Sequence, residues 1–97
     1  MRNLLTEMRK LRKRKRISQT QMATAIGVTP GYLCQVEKGH KSPNLSLLED
    51  YCDELEIPLP IIHFLSLDDE YIAKDKIIAF RIVQPAMVSM IQEFFDI

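Results

Sequence analysis

SQTQMATAIGVTPGYLCQVEKG, residues Ser18–Gly39, is the stretch on which the fold turns. It reads as two short helices joined by a tight turn. Ser18 can cap the first helix, and Gln21, three residues on, completes a capping box. Met22, Ala23 and Ile26 then recur at helical spacing on one face. Gly27 stands where the chain must leave the helix, a position that favours a left-handed residue. Thr29 suits the cap of the next helix and Pro30 its first position, where a missing N–H costs nothing. Leu33 and Val36 form the buried stripe of that second helix, and Gly39 ends it. Helices this short do not persist alone in water, so the flanking sequence must supply others for them to pack on.

The flanks do so. Residues 2–15 form a helix with Leu4 or Leu5, Met8 and Leu11 as its stripe. Residues 45–56 form another, begun by Asn44 or Ser42, with Leu48, Tyr51, Cys52 and Leu55 inward and Glu49, Asp50, Asp53, Glu54 and Glu56 outward. Ile57-Pro58-Leu59-Pro60 stops it. A short fifth helix then carries Ile61, Ile62, Phe64 and Leu65. Asp68 is suited to cap a further helix running to about Val83. Residues 76–83 also suit a strand by composition, but no second strand is visible to pair with it, and helix is preferred. Pro85 is expected to end or kink that helix at Gln84, with a last helix from there to about Phe95.

The net charge of zero conceals a division. Residues 1–41 hold ten Lys/Arg and two acids, a net of +8; residues 42–97 hold three Lys/Arg and eleven acids, a net of −8. Arg9–Arg16 is a basic run broken only by Leu11. A basic half centred on paired short helices is the footprint of a phosphate-binding surface. The acidic half should point away from it.

The residues Leu11-Arg12-Lys13, Ile17-Ser18-Gln19, Met22-Ala23, Ile26-Gly27-Val28, Tyr32-Leu33, Val36-Glu37-Lys38-Gly39 and Pro43 resemble, in identity and spacing, the helix-turn-helix of the Cro and lambda-type phage repressors, the Xre-like regulators. The resemblance runs from about residue 4 to about residue 65. It implies a five-helix lambda-repressor-like DNA-binding domain over residues 1–66. Residues 67–97, which it does not cover, read from their own pattern as a helical dimerisation extension, so the protein is expected to be all-α.

The second helix of the motif would enter the major groove by its N-terminal end. With Leu33 and Val36 inside, its outward positions are Thr29, Pro30, Gly31, Tyr32 at the edge, Cys34, Gln35 and Lys38. The resemblance places base reading mainly at Pro30, Gly31, Tyr32 and Gln35. Gln35 is the best direct reader, because an amide makes a bidentate pair with adenine. Tyr32 suits equally a thymine methyl or phosphate contact and a ring half-buried between helices. Pro30 and Gly31 offer no hydrogen-bonding side chain, which points to some readout of DNA shape. Gln19 matches the family's phosphate-contacting position, at a helix N-terminus that favours anions. Lys38, Lys41 and Asn44 should clamp the backbone, fixing register without reading sequence. Glu37 lies near a helix C-terminus and beside a DNA surface, both unfavourable to an anion. It needs a cation, and Arg12 is the candidate, since the family often pairs these positions.

The extension is rich in large apolar residues. Phe80, Met87, Ile91, Phe94 and Phe95 are read as a homodimer interface, with a satellite core on the chain's own fifth helix as the other use. The reading is a cytoplasmic regulator of repressor type, binding double-stranded DNA as a homodimer on a palindromic operator. A restriction–modification controller, or an antitoxin whose extension takes a toxin, shares the same DNA-binding fold. No enzyme is expected: no nucleophile–base pair or Gly-rich phosphate loop appears, and His63 reads as a partly buried helix residue. Cys34, Cys52, His40 and His63 match no metal spacing, so no metal or other cofactor is expected. No apolar run reaches the length of a membrane span, and the charged start of the chain does not suit a signal peptide.

Overall fold

The computed structural model describes residues 2–97. Five helices come first: α1 (Arg2–Arg14), α2 (Gln19–Ile26), α3 (Pro30–Glu37), α4 (Leu45–Leu55) and α5 (Leu59–Leu65). Two 3-10 turns, Asp69–Tyr71 and Lys74–Lys76, lead into α6 (Ile77–Phe95). No strand occurs among the described residues.

Local chemistry sets the boundaries of the short helices. Ser18 Oγ accepts from the Gln21 N–H at 3.0 Å, and Gln21 Oε1 accepts from the Ser18 N–H at 2.8 Å, a complete capping box. Thr29 Oγ1 accepts from the Tyr32 N–H at 3.1 Å, and Pro30 occupies the first turn of α3. Asn44 Oδ1 accepts from the Leu47 N–H at 2.8 Å and starts α4. Gly27 closes α2 at φ +76°, in the left-handed region. A Cβ there would meet nothing within 4 Å. Gly27→Ala should therefore carry only the backbone penalty, about 1 kcal/mol, measured as a lower urea midpoint with unchanged slope.

One core joins the five helices. It contains Leu4, Leu5, Met8 and Leu11 of α1, Met22 and Ala23 of α2, Leu33 and Val36 of α3, and Leu48, Tyr51, Cys52 and Leu55 of α4, closed by Ile57 and Ile62. Each such large side chain contributes about 1.5–3 kcal/mol by leaving water. Burial also pushes the Cys52 thiol up to about 11. His63 is exposed rather than partly buried: it turns outward between Ile62, which is fully buried, and Phe64.

The C-terminal third departs from the expected pattern. Asp68 caps a 3-10 turn, accepting from the Glu70 N–H at 2.9 Å, rather than a helix running to Val83. The helix does not end at Pro85: one helix of 19 residues runs through it. Proline forfeits a bond to the carbonyl one turn back, here that of Arg81. Arg81 and Pro85 are both solvent-exposed beside residues 67–70, so water can take that bond. No residue of α6 is fully buried. It is held by the Arg81–Asp69 ion pair, by the Gln84 amide reaching toward the Leu67 carbonyl at 3.5 Å, and by Phe95 and Ile97 against the edge of the core.

The extension also bears on the membrane expectation. No uninterrupted apolar run is long enough, yet Lys74–Phe95, 22 residues at mean hydropathy 1.2, meets the length and composition of a membrane-crossing helix. Its apolar surface is one-sided, because Arg81 and Gln84 turn toward residues 67–69.

Candidate nucleic-acid interface

The helical repeat of α3 divides its residues between core and surface. Leu33 and Val36 are 0% and 3% exposed and fix the rotation of the helix. Pro30, Gly31, Gln35 and Lys38 then face outward, with Tyr32 at the edge, 36% exposed, and Cys34 half-buried. The Gln35 amide makes no hydrogen bond among the described residues, so both its donor and its acceptor are free. A Cβ at Gly31 would meet nothing within 4 Å, so the space over the first turn of α3 is open for close approach. Lys38 and Lys41 are exposed and form no ion pair among the described residues.

Thr29 and Asn44 are exposed, but their side-chain oxygens are occupied as helix caps. Thr29 keeps its hydroxyl proton, and Asn44 its amide N–H groups, as free donors. Lys10, Lys13 and Arg14 of α1 are exposed, as is Arg16 just beyond it.

Beneath this surface lies a fully satisfied buried carboxylate. Arg12 and Glu37 are each 5% exposed. Arg12 Nε and Nη2 donate to the two oxygens of Glu37 at 2.8 and 3.0 Å, a bidentate pair. Tyr51 Oη donates to Glu37 Oε2 at 2.5 Å, and Gln19 Nε2 to Oε1 at 2.9 Å. Arg12 Nη1 donates to the Ile17 carbonyl at 2.8 Å, which fixes the link into α2. One carboxylate thus ties α1, α2, α3 and α4 together.

The electrostatics follow from this geometry. Burial alone would raise the Glu37 pKa. The hydrogen bonds from Arg12, Tyr51 and Gln19, in that order, outweigh it and hold the group below its ordinary value. Burial disfavours charge on Arg12 too, and the Glu37 hydrogen bond and charge outweigh it, raising its pKa. The Tyr51 hydroxyl is pushed far above its ordinary range by burial, then by its bond to the carboxylate.

The structure therefore brings Arg12 and Glu37 together and adds two partners that the pattern did not disclose. Tyr51 reads as a core residue, yet a buried phenol needs a hydrogen-bond partner, and that requirement was the available signal. Gln19 is half-buried, its amide already donating to Glu37, and only the second amide N–H of its side chain is left to donate to an anion. Arg12 leaves the basic run for the core, so one cation fewer faces solvent. In the extension, Phe80, Ile91 and Phe95 are half-buried against their own chain, whereas Met87 and Phe94 are 44% and 82% exposed.

A family model described as helix-turn-helix matches residues 8–62, more than half of the chain. Comparison with the curated proteins finds no significant match. Among solved structures, the chain is similar to the clp gene regulator ClgR from Corynebacterium glutamicum, at 23% identity and a TM-score of 0.63, over 94% of this chain and 89% of that one. At that identity the likeness speaks to the fold, including the helix beyond the family match.

Proposed function

The chain belongs to the helix-turn-helix family of Cro-like, DNA-binding regulators, and on that premise we propose that it is a repressor acting as a homodimer on a palindromic operator. Residues 1–66 bind the DNA and residues 67–97 join the two copies. In this reading α3 lies in the major groove, Gln35 reads a base edge, and Pro30, Gly31 and Tyr32 contribute fit. Gln19, Thr29, Lys38, Lys41 and Asn44 grip phosphates. The observation that supports it best is the free amide of Gln35 on the outward face of α3, flanked by the unpaired Lys38 and Lys41. A DNA ligand of this kind puts the protein in the cytoplasm.

Selection from a pool of random duplexes, followed by footprinting and mass measurement of the free protein, tests the reading. The expected result is two inverted half-sites about one helical turn apart. A single asymmetric footprint, or no selected sequence, would overturn it. Co-purification of a second, stoichiometric protein on the extension would favour the antitoxin reading instead. Gln35→Ala should relax preference at one base position per half-site, a loss of about 1–3 kcal/mol of discrimination. An unchanged base preference would remove Gln35 from the groove.

A further inference from the structure

Seven of the eight residues of Arg9–Arg16 are basic, and the fold gives them different surroundings. Arg12 is buried with Glu37. Lys10 stands beside Leu65, Ser66 and Asp68, toward the acidic extension. Arg16, the last of the run, is exposed, and its guanidinium makes no hydrogen bond or ion pair among the described residues.

The backbone at Arg16 does not by itself favour an arginine. α1 ends at Arg14, and Arg16 follows at φ +59°, in the left-handed region. A Cβ is penalised there, and helix ends of this kind usually take glycine. The dipole of α1 does not require the charge either, because Arg12, Lys13 and Arg14 already occupy its last turn. Glu56 and Asp96 share the left-handed conformation at other helix ends. Both are acidic and lie in the acidic half, so the turn does not select a cation.

The turn is also rigid and set against the motif. The Arg16 N–H donates to the Lys13 carbonyl at 3.0 Å, and the Ile17 N–H to the Arg12 carbonyl at 3.1 Å. Arg12 Nη1 holds the Ile17 carbonyl at 2.8 Å, while Nε and Nη2 hold Glu37 at the end of α3. Gln19, three residues after Arg16, donates to the same carboxylate at 2.9 Å. Arg16 therefore stands between the start of α2 and the end of α3, where Lys38 is also exposed. A backbone fixed in advance lowers the ordering cost of gripping a ligand.

We propose that Arg16 is a phosphate anchor, gripping the DNA backbone beside Gln19 and taking no part in base reading. The inference rests on the DNA-binding reading above and adds a contact to it. The left-handed turn carries arginine rather than glycine because the side chain is used.

Arg16→Gly separates the two uses of the position. It removes the charge and suits the turn, so the urea midpoint should be no lower than that of the wild type. Affinity for the selected duplex should fall about tenfold for each bound copy at about 100 mM salt. The slope of log affinity against log salt should become shallower by about 0.9 per copy. The preferred base sequence should not change, because a phosphate contact carries no sequence information. Arg16→Lys should keep the slope. Lys10→Ala, an equal loss of charge away from the motif, should leave it unchanged. An Arg16→Gly protein with wild-type affinity and slope would overturn the proposal, as would an equal change of slope in Lys10→Ala. A lowered midpoint with an unchanged slope would assign Arg16 to the end of α1 alone. A wild type that selects no duplex removes the DNA-binding reading and this inference with it. A wild type that selects one, which Arg16→Gly then binds equally well at every salt concentration, removes only this inference.

Discussion

Glu37→Gln is expected to cost about 3–5 kcal/mol of folding free energy, because it leaves the Arg12 guanidinium buried without its counter-charge. A small domain has only about 5–15 kcal/mol in hand, so the loss takes a large part of it. Chemical denaturation should show a markedly lower midpoint. Replacing both partners by apolar residues, as Arg12→Met with Glu37→Leu, should recover much of the loss, since no buried charge then remains. Tyr51→Phe should cost less, about 1.5–3 kcal/mol for one hydrogen bond to a charged group. If Glu37→Gln melts like the wild type, the carboxylate is not the junction of the four helices.

The same site fixes the pH dependence. Glu37 titrates below its ordinary value of 4.5 in the folded chain. Its contribution is complete above that value and disappears as pH falls through the lower, folded one. Tyr51 is shifted the other way, above its ordinary 10.0. Its contribution is complete below 10.0 and declines as pH rises beyond it. The buried Cys52 thiol, raised from 9.0 to about 11, adds to the alkaline side, so these groups make stability fall in acid and again above about pH 9. Tyr51→Phe should remove the Tyr51 share of the alkaline limb and leave that of Cys52, and it should bring acid unfolding on at higher pH, because Glu37 loses one of the hydrogen bonds that favour its charged form.

The second large effect is the response of DNA affinity to salt. In the proposed dimer on DNA, Lys38, Lys41 and one of the exposed residues of the basic run in each copy would make about six phosphate contacts. The logarithm of affinity should then fall with the logarithm of salt at a slope of about −5, a loss of about 1,000-fold between 50 and 200 mM. Lys41→Ala should weaken all sequences alike and reduce that slope by about 2 in the dimer, one for each copy. A slope near −1 would mean that the basic half of the chain does not face the duplex. Arg12, although part of the basic run in sequence, belongs to the core and should contribute nothing to the slope.

The first 65 residues were legible because their signals are local and mutually consistent. Ser18, Thr29 and Asn44 announce three helix starts, Gly27 announces an end, and apolar spacing announces each inward face. Glu37 was legible as an anion in need of a cation. Its other two partners were not, because Tyr51 and Gln19 each carry a sufficient local explanation, one as core and one as a helix-start residue. The extension was harder to read. Pro85 is a strong local signal against helix, but the surroundings override it: proline on a solvated face forfeits a bond that water replaces. The apolar excess of the extension was visible in the sequence, whereas the division of its residues between the chain's own core and the exposed face depends on the rotation of α6. Only tertiary contacts through Phe95, Ile97, Gln84 and Arg81 set that rotation.

In the proposed homodimer, the thin attachment of α6 would make its order depend on how much protein is present. A helix with no fully buried residue and a handful of tethers opens without the rest of the molecule unfolding. Association through the extension would supply the missing burial, so the stability of α6 would rise with protein concentration by mass action. Amide hydrogen exchange at nanomolar and at high micromolar concentration should show α6 among the fastest helices in the first case and slowed in the second, with α1 to α5 unchanged. In a cell, a few copies of the chain would have frayed C-terminal ends and many would have firm ones, a built-in gauge of its own abundance.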